Sequence, residues 1–168
     1  MIGKGGERSF QIITMKNLTK SILAILLLAL LLTSCCDLCD GKVNGIVIRR
    51  CLYVHQSFSE KRELKKLIRQ TLNKDEKALV KLNNFWCGGA AGCYDLGFVI
   101  TQIIYRIGEE DFIKMVNKLD CKEVVELEWY IRLGLAYGDH DKDGILDDRK
   151  IENEFPNFYR LLTERERK

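Results

Sequence analysis

Between residues 57 and 137 the apolar side chains recur at steps of three and four, the spacing that lines one face of an α-helix. Leu64, Leu67, Ile68 and Leu72 make one such face, and Leu79, Leu82 and Trp86 a second. Leu96, Val99, Ile100, Ile103, Ile104 and Ile107 make a third. This third set is rich in β-branched residues and would suit a strand by composition, but its length and step favour a helix, which Gly108 is placed to end. Phe112, Met115, Val116 and Leu119 form a fourth face behind Glu109, Glu110 and Asp111, whose charges suit the positive end of a helix. A further helix is expected from about Cys121 to Tyr137. A last one should run from about Asp148 to the C-terminus, kinked or restarted at Pro156, the only proline. Ser57 with Glu60, Asn73 with Glu76, and Asp120 with Glu123 have the spacing of capping boxes. The expectation is an all-α domain: a compact irregular bundle or short helical-hairpin array of about six helices, with sequential neighbours antiparallel. No clean internal repeat is present. The stretch "IVIRRCLYV" (46–54) is β-prone but too short to class.

The N-terminal pattern is different. Lys16 and Lys20 precede an unbroken apolar run from Ile22 to Leu32. That run is shorter than the roughly 18–20 residues that span a bilayer, which favours a cleaved signal over a permanent helix. It ends in Leu32-Thr33-Ser34-Cys35, which resembles the lipobox of bacterial lipoproteins. The resemblance implies that Cys35 carries the lipid and becomes the first mature residue. A plain secretory signal or short anchor that happens to end in cysteine is the competing reading, and Cys36 would lose the leucine from its register. Met15, followed by lysine, reads as the start of this signal. The chain then divides into a signal peptide (1–34), a lipidated tether (35–45) and a helical domain (46–168).

This address changes how cysteine and charge are read. With Cys35 on lipid, six cysteines remain (Cys36, Cys39, Cys51, Cys87, Cys93 and Cys121), enough for up to three disulfides in an oxidising compartment. Cys87 and Cys93, flanking "GGAAG", are the first pair expected, and Cys121 the first to be a free buried thiol. The chain holds 27 basic and 24 acidic residues. Residues 1–34 contain four of the former and one of the latter, which leaves 23 of each. A neutral mature domain gives no sign of a nucleic-acid partner or a polybasic membrane surface.

One polar segment carries candidate chemistry. In "DHDKDGILDDRK" (139–150) five aspartates fall within ten positions. Asp139, Asp141 and Asp143 alternate ahead of Gly144, a pattern that resembles the EF-hand calcium loop. The resemblance implies Asp139, Asp141 and Asp143 as side-chain ligands, Ile145 through its carbonyl, Asp147 as the ninth-position ligand, and Leu146 packing inward. Alternate carboxylates in a tight loop converge on one point, which suits a hard cation wanting six to eight oxygens. His140, between two ligands, is expected to point outward. The twelfth position, a bidentate glutamate in that family, is Lys150, with Asp148 or Glu152 as possible replacements. The implied cofactor is a weakly held structural calcium. The competing reading is a solvated turn whose aspartates cap helices.

Other patterns point to less. "CGGAAGCYDLG" lacks the lysine and hydroxyl residue of a phosphate loop, and Cys36 with Cys39 has no matching second pair for zinc. Neither His55 nor His140 follows a catalytic motif. Trp86, Trp129, Tyr130 and Tyr137 could form an aromatic binding patch, but Trp86 and Trp129, at helical spacing, are expected in the core, and no residue reads as catalytic. The sequence therefore points to an envelope lipoprotein that binds a protein or envelope ligand, with the membrane as its anchor. A calcium-dependent envelope enzyme and a purely structural spacer are the alternatives.

Overall fold

The computed structural model of the protein describes residues 41 to 166. The expected signal peptide (1–34), Cys35, Cys36, Cys39 and the start of the expected tether lie outside the described residues. Cys39–Lys168 forms a compact unit whose buried core runs from Val43 to Leu162, as expected of a domain able to fold by itself.

The first element is a hairpin, β1 (Gly41–Val43) against β2 (Ile46–Ile48), antiparallel with Val43 opposite Ile46. Asn44 (φ 49°) and Gly45 (φ 88°) make its two-residue turn, since both central positions need left-handed backbone that Asn-Gly tolerates. Val43, Ile46 and Ile48 are buried, so residues 41–45 pack with the helical domain. The outer edge of β2 is occupied by a side chain: Gln102 Nε2 donates to the Val47 carbonyl (3.0 Å) and Val47 N donates to Gln102 Oε1 (2.9 Å). The short helix α1 (Arg50–Tyr53) follows, and buried Asp95 caps it from a distance by accepting from Leu52 N (3.1 Å).

The helices expected from the three-and-four spacing are present. They are α2 (Phe58–Leu72), α3 (Glu76–Asn83), α4 (Ala90–Ile107), α5 (Glu109–Val116), α6 (Cys121–Ala136), the single turn α7 (Ile151–Glu154) and α8 (Pro156–Glu166). Six of the eight described helices are two turns or longer, and the fold is all-α apart from the hairpin. Complete capping boxes start α2 at Ser57 and α6 at Asp120. At α3 the cap is Asp75, which accepts from Ala78 N. Asn73 instead closes α2, followed by Lys74 in the left-handed region (φ 65°). Trp86 is 61% exposed beyond the end of α3 and Trp129 is 48% exposed on α6, so neither lies in the core. Pro156 starts α8, its missing N–H costing nothing in a first turn.

The most extensive packing joins α4 to α6 rather than sequential neighbours. Two glycines allow it. A Cβ on Gly97 would lie 2.2 Å from the Tyr130 carbonyl oxygen, and one on Gly134 would lie 2.2 Å from the Gly97 oxygen. The backbones touch there, flanked by buried Leu96, Val99, Ile100, Leu127, Ile131 and Leu135. A disulfide joins Cys87, in the loop ahead of α4, to Cys93 in that helix's first turn, with Cα atoms 4.9 Å apart. Cys51 and Cys121 are free and exposed, so Cys121 is not the buried thiol expected of it.

Candidate metal centre

The segment after α6 is pinned at its base before any ion is considered. Asp147 N donates to the Gly138 carbonyl (3.0 Å) and Arg149 N to the Leu135 carbonyl (3.1 Å), which ties the outgoing strand of the loop to the end of α6. Between these ties the chain turns twice through left-handed backbone, at Lys142 (φ 64°) and Gly144 (φ 85°). The aspartates brace the turns locally: Asp143 N donates to Asp141 Oδ1 (3.2 Å) and Ile145 N to Asp143 Oδ1 (2.7 Å).

Asp139, Asp141 and Asp143 are thereby brought together. One carboxylate oxygen from each lies within 4.8 Å of the others, a set that can hold a metal ion. Asp141 and Asp143 are exposed and Asp139 is half-buried. Asp139 Oδ1 is shielded from solvent and has no hydrogen-bond partner. Such an oxygen is costly unless a donor or a cation answers it.

The other expected ligands are used differently. Asp147 has a side chain only 5% exposed; its Oδ2 accepts from His140 N (2.7 Å) and its Oδ1 pairs with Arg149 (3.2 Å). It holds the loop shut instead of joining the trio. Asp148 is exposed in a left-handed conformation (φ 46°), Glu152 is exposed, and neither joins the cluster. Ile145 is exposed, with its amide bound by Asp143. Lys150, at the twelfth position, precedes α7 without a side-chain cap bond. Arg149 bridges three acids, with Asp141 and Glu154 each at 3.7 Å in addition to Asp147.

Two side chains reverse the expected directions. Leu146 is 56% exposed and does not pack inward. His140, expected outside, turns in. Its ring packs on Phe98 (4.8 Å between centroids) and edge-on against Tyr105 (5.0 Å). Its Nε2 lies 3.1 Å from the Gly134 carbonyl and 3.4 Å from Thr101 Oγ1. The reason is local: Gly138 has no Cβ, and one placed there would stand 2.5 Å from His140 Nε2, so the ring folds back over the glycine. Burial pushes the imidazole below its ordinary value, while the Gly134 carbonyl and Asp147 act against that. Tyr105, whose hydroxyl donates to Glu154, is raised first by burial and then by that bond.

A cleft of about 650 Å³ lies beside the loop, walled by the hairpin turn, α4 and the loop itself. Phe98, Gln102, Tyr105 and Arg106 face it from α4, Arg49 from the end of β2, and Asp139, His140, Lys142 and Arg149 from the loop side. Arg49 is held in place there, its guanidinium 4.0 Å from the Phe98 ring centroid and its Nη1 donating to the Tyr137 carbonyl (2.8 Å). Sequence reasoning missed this cleft, because its cations come from segments some fifty and forty residues apart and no linear motif joins them. No helix among the described residues is long and apolar enough to cross a membrane. Comparison of the chain with protein-family models, with curated proteins and with solved structures finds no match.

Proposed function

We propose that the protein is a lipid-anchored lipoprotein of the bacterial envelope whose helical domain binds an envelope ligand, with a calcium ion as part of its structure. The ion is held by Asp139, Asp141 and Asp143, completed by the Ile145 carbonyl and water. The observation that carries the metal reading is Asp139 Oδ1, buried without a donor beside two further carboxylates. Calcium fits better than magnesium, because magnesium usually keeps its waters and takes one or two carboxylates. With Asp147 committed to His140 and Arg149 and no acid at position 150, affinity is on the order of 10⁻⁴ to 10⁻³ M. That suffices outside a cell, where calcium is abundant. The anchor rests on the Leu32–Cys35 motif, and the binding role on the cleft beside the loop.

The cleft also meets the first requirement of the enzyme alternative, a pocket at the loop. Its histidine argues against catalysis, because the hydroxyl beside His140 is Thr101, which is fully buried. A spacer would not need a walled cleft.

Two measurements test the reading. Calorimetric titration of the unit Cys39–Lys168 with calcium should show saturable binding that an Asp139→Ala, Asp141→Ala double variant abolishes. No heat at millimolar calcium would return the loop to a braced polar turn. Mass spectrometry of the protein recovered from bacterial membranes should show an acylated Cys35 as the first residue, and an unmodified N-terminus upstream of it would remove the anchor.

A further inference from the structure

The cleft beside the loop has a charge that overall neutrality conceals. Four cations line it (Arg49, Arg106, Lys142 and Arg149) against one carboxylate, Asp139. Arg149 is answered by Asp141, Asp147 and Glu154. Among the described residues Arg49, Arg106 and Lys142 take part in no ion pair. Three uncompensated cations facing one concavity ask for a ligand with more than a single negative charge.

The three come from three separate walls, and two are fixed by neighbours. Arg49 stands over the Phe98 ring and is tied to the Tyr137 carbonyl, so its remaining N–H groups are presented without a search through rotamers. Lys142 sits on the loop in the left-handed region, where lysine is strained and glycine would not be. The Asp141 and Asp143 turns hold its backbone there, and Lys142 lines the cleft from the loop side. Arg106 is exposed on α4, eight residues after Phe98 and so about 12 Å along the same helix. Gln102, between them, is spent on Val47 and the Tyr105 hydroxyl on Glu154, which leaves the Arg106 guanidinium as the donor on that wall. The cavity lies within the roughly 300–1,000 Å³ typical of small-ligand sites.

We propose that this cleft binds a phosphate group, free or as a monoester, through Arg49, Arg106 and Lys142. The assignment names the ligand class of the binding role proposed above and rests on that reading in one respect. Asp139 belongs both to the acidic trio and to the cleft wall, so a cation on the loop neutralises the one carboxylate facing the anion. Calcium and phosphate ester should each raise the other's affinity by the same factor. The exposed side of α2 is also basic, with Arg62, Lys66 and Arg69, but every residue lining its groove comes from that one helix, so no second wall encloses a ligand.

The test is titration of the unit Cys39–Lys168 with inorganic phosphate and with glycerol 3-phosphate, at constant ionic strength and without calcium, read by amide NMR shifts. Saturable binding is expected, weakened about five- to tenfold by Arg106→Ala and by Lys142→Ala and unchanged by Arg69→Ala. Tighter binding of the ester places the group on a larger envelope molecule, and equal binding makes the free ion the ligand. Absence of saturation at concentrations on the order of 10 mM, or an Arg69→Ala loss equal to that of Arg106→Ala, overturns the proposal. Repeating the ester titration with calcium should show tighter binding, and Asp143→Asn, which keeps the turn bond but removes a ligand charge, should cancel the gain. Calcium binding without phosphate binding refutes the anion site alone. Phosphate binding that Arg106→Ala weakens but calcium leaves untouched refutes the calcium coupling and leaves the anion site standing.

Discussion

The α4–α6 pair and the loop that follows it are held by opposite means. At the helix crossing, backbone meets backbone through Gly97 and Gly134, and the flanking side chains are apolar and fully buried. From 138 to 149 most of the restraint is polar and local: two backbone ties, two aspartate turns and Arg149 shared among three acids. The first arrangement is rigid because nothing else fits. The second is a set of charges placed so that an ion from outside the chain can finish the job. Variants that strike each device should therefore fail differently, by steric exclusion in one region and by loss of coupling in the other.

The largest effect is expected at the crossing. By helix propensity alone, Gly134→Ala should gain about 1 kcal/mol. The new Cβ would stand 2.2 Å from the Gly97 carbonyl oxygen, and backbone at that position has no rotamer with which to move away. Overpacking should win, with a loss of about 3 kcal/mol and a melting temperature lower by roughly 10 °C. Thermal melts of the variant decide it. An unchanged or higher melting temperature would mean that the two helices are not in backbone contact.

Next comes the reversal inside the loop. His140→Ala removes a ring packed on Phe98 and Tyr105 together with its bond to the Gly134 carbonyl, and should cost about 2 kcal/mol. Leu146→Ala, at a side chain 56% exposed, should cost less than about 0.5 kcal/mol. Urea titrations of both variants would compare them. The opposite ranking would restore the inward eighth position of the calcium-loop family and place the histidine in solvent.

These two regions also differ in how far the sequence disclosed them. The faces of α2, α4 and α5 were legible because burial of one helical stripe repeats at a fixed step, and Leu64, Ile100 and Phe112 duly lie in the core. The partner of each face was not legible. Periodicity says which side is buried and nothing about against what, so the skip from α4 to α6 appears only once Gly97 and Gly134 are seen together. The hairpin had a signal in Asn44-Gly45 between β-branched residues, but strands of three residues are too short for alternation to register. In the loop, spacing foretold that Asp139, Asp141 and Asp143 converge, because that is local geometry. It did not foretell that Asp147 would be spent on His140 and Arg149, since Gly138 lets the His140 ring fold back but the surface that receives it is Phe98, Thr101 and Tyr105 of α4, some forty residues earlier. The cleft was least legible of all, as its charges are summed across three segments and vanish in the net balance.

Calcium should act on the loop and leave the crossing unaffected. At a free concentration ten times the dissociation constant, binding to the native state alone stabilises by about 1.4 kcal/mol. The melting temperature of the unit Cys39–Lys168 should rise by several degrees and return to its starting value with chelator. The Asp139→Ala, Asp141→Ala variant should show no rise, whereas Gly134→Ala, if it remains folded, should show the full increment from its lower baseline. A rise that survives in the double variant would locate the ion elsewhere.

The smallest effect belongs to a scaffold carboxylate that the chain itself has answered. Asp111 accepts from Lys114 (2.8 Å) and pairs with Lys74 (2.6 Å), and these two ammonium groups, Lys114 first, hold its carboxyl at about 2. Because the folded value lies below the unfolded one, near 3.9, the associated stability is complete above that value and is lost as pH falls through about 2. Carbon-detected titration of the Asp111 carboxyl should give a midpoint near 2 in the native protein and move it toward the ordinary range in Lys74→Ala and further in Lys114→Ala. A midpoint of ordinary value would mean that the two lysines are in solvent. Both lysines are exposed, so little change in melting temperature near neutral pH is expected from either variant. The contrast with the loop is then direct. Asp111 has two cations of its own chain, whereas Asp139 and Asp143 are in no ion pair among the described residues and Asp141 meets Arg149 only at 3.7 Å. Carboxylates gathered within 4.8 Å, two of the three paired with no lysine or arginine among the described residues, are where a cation from outside has something to bind.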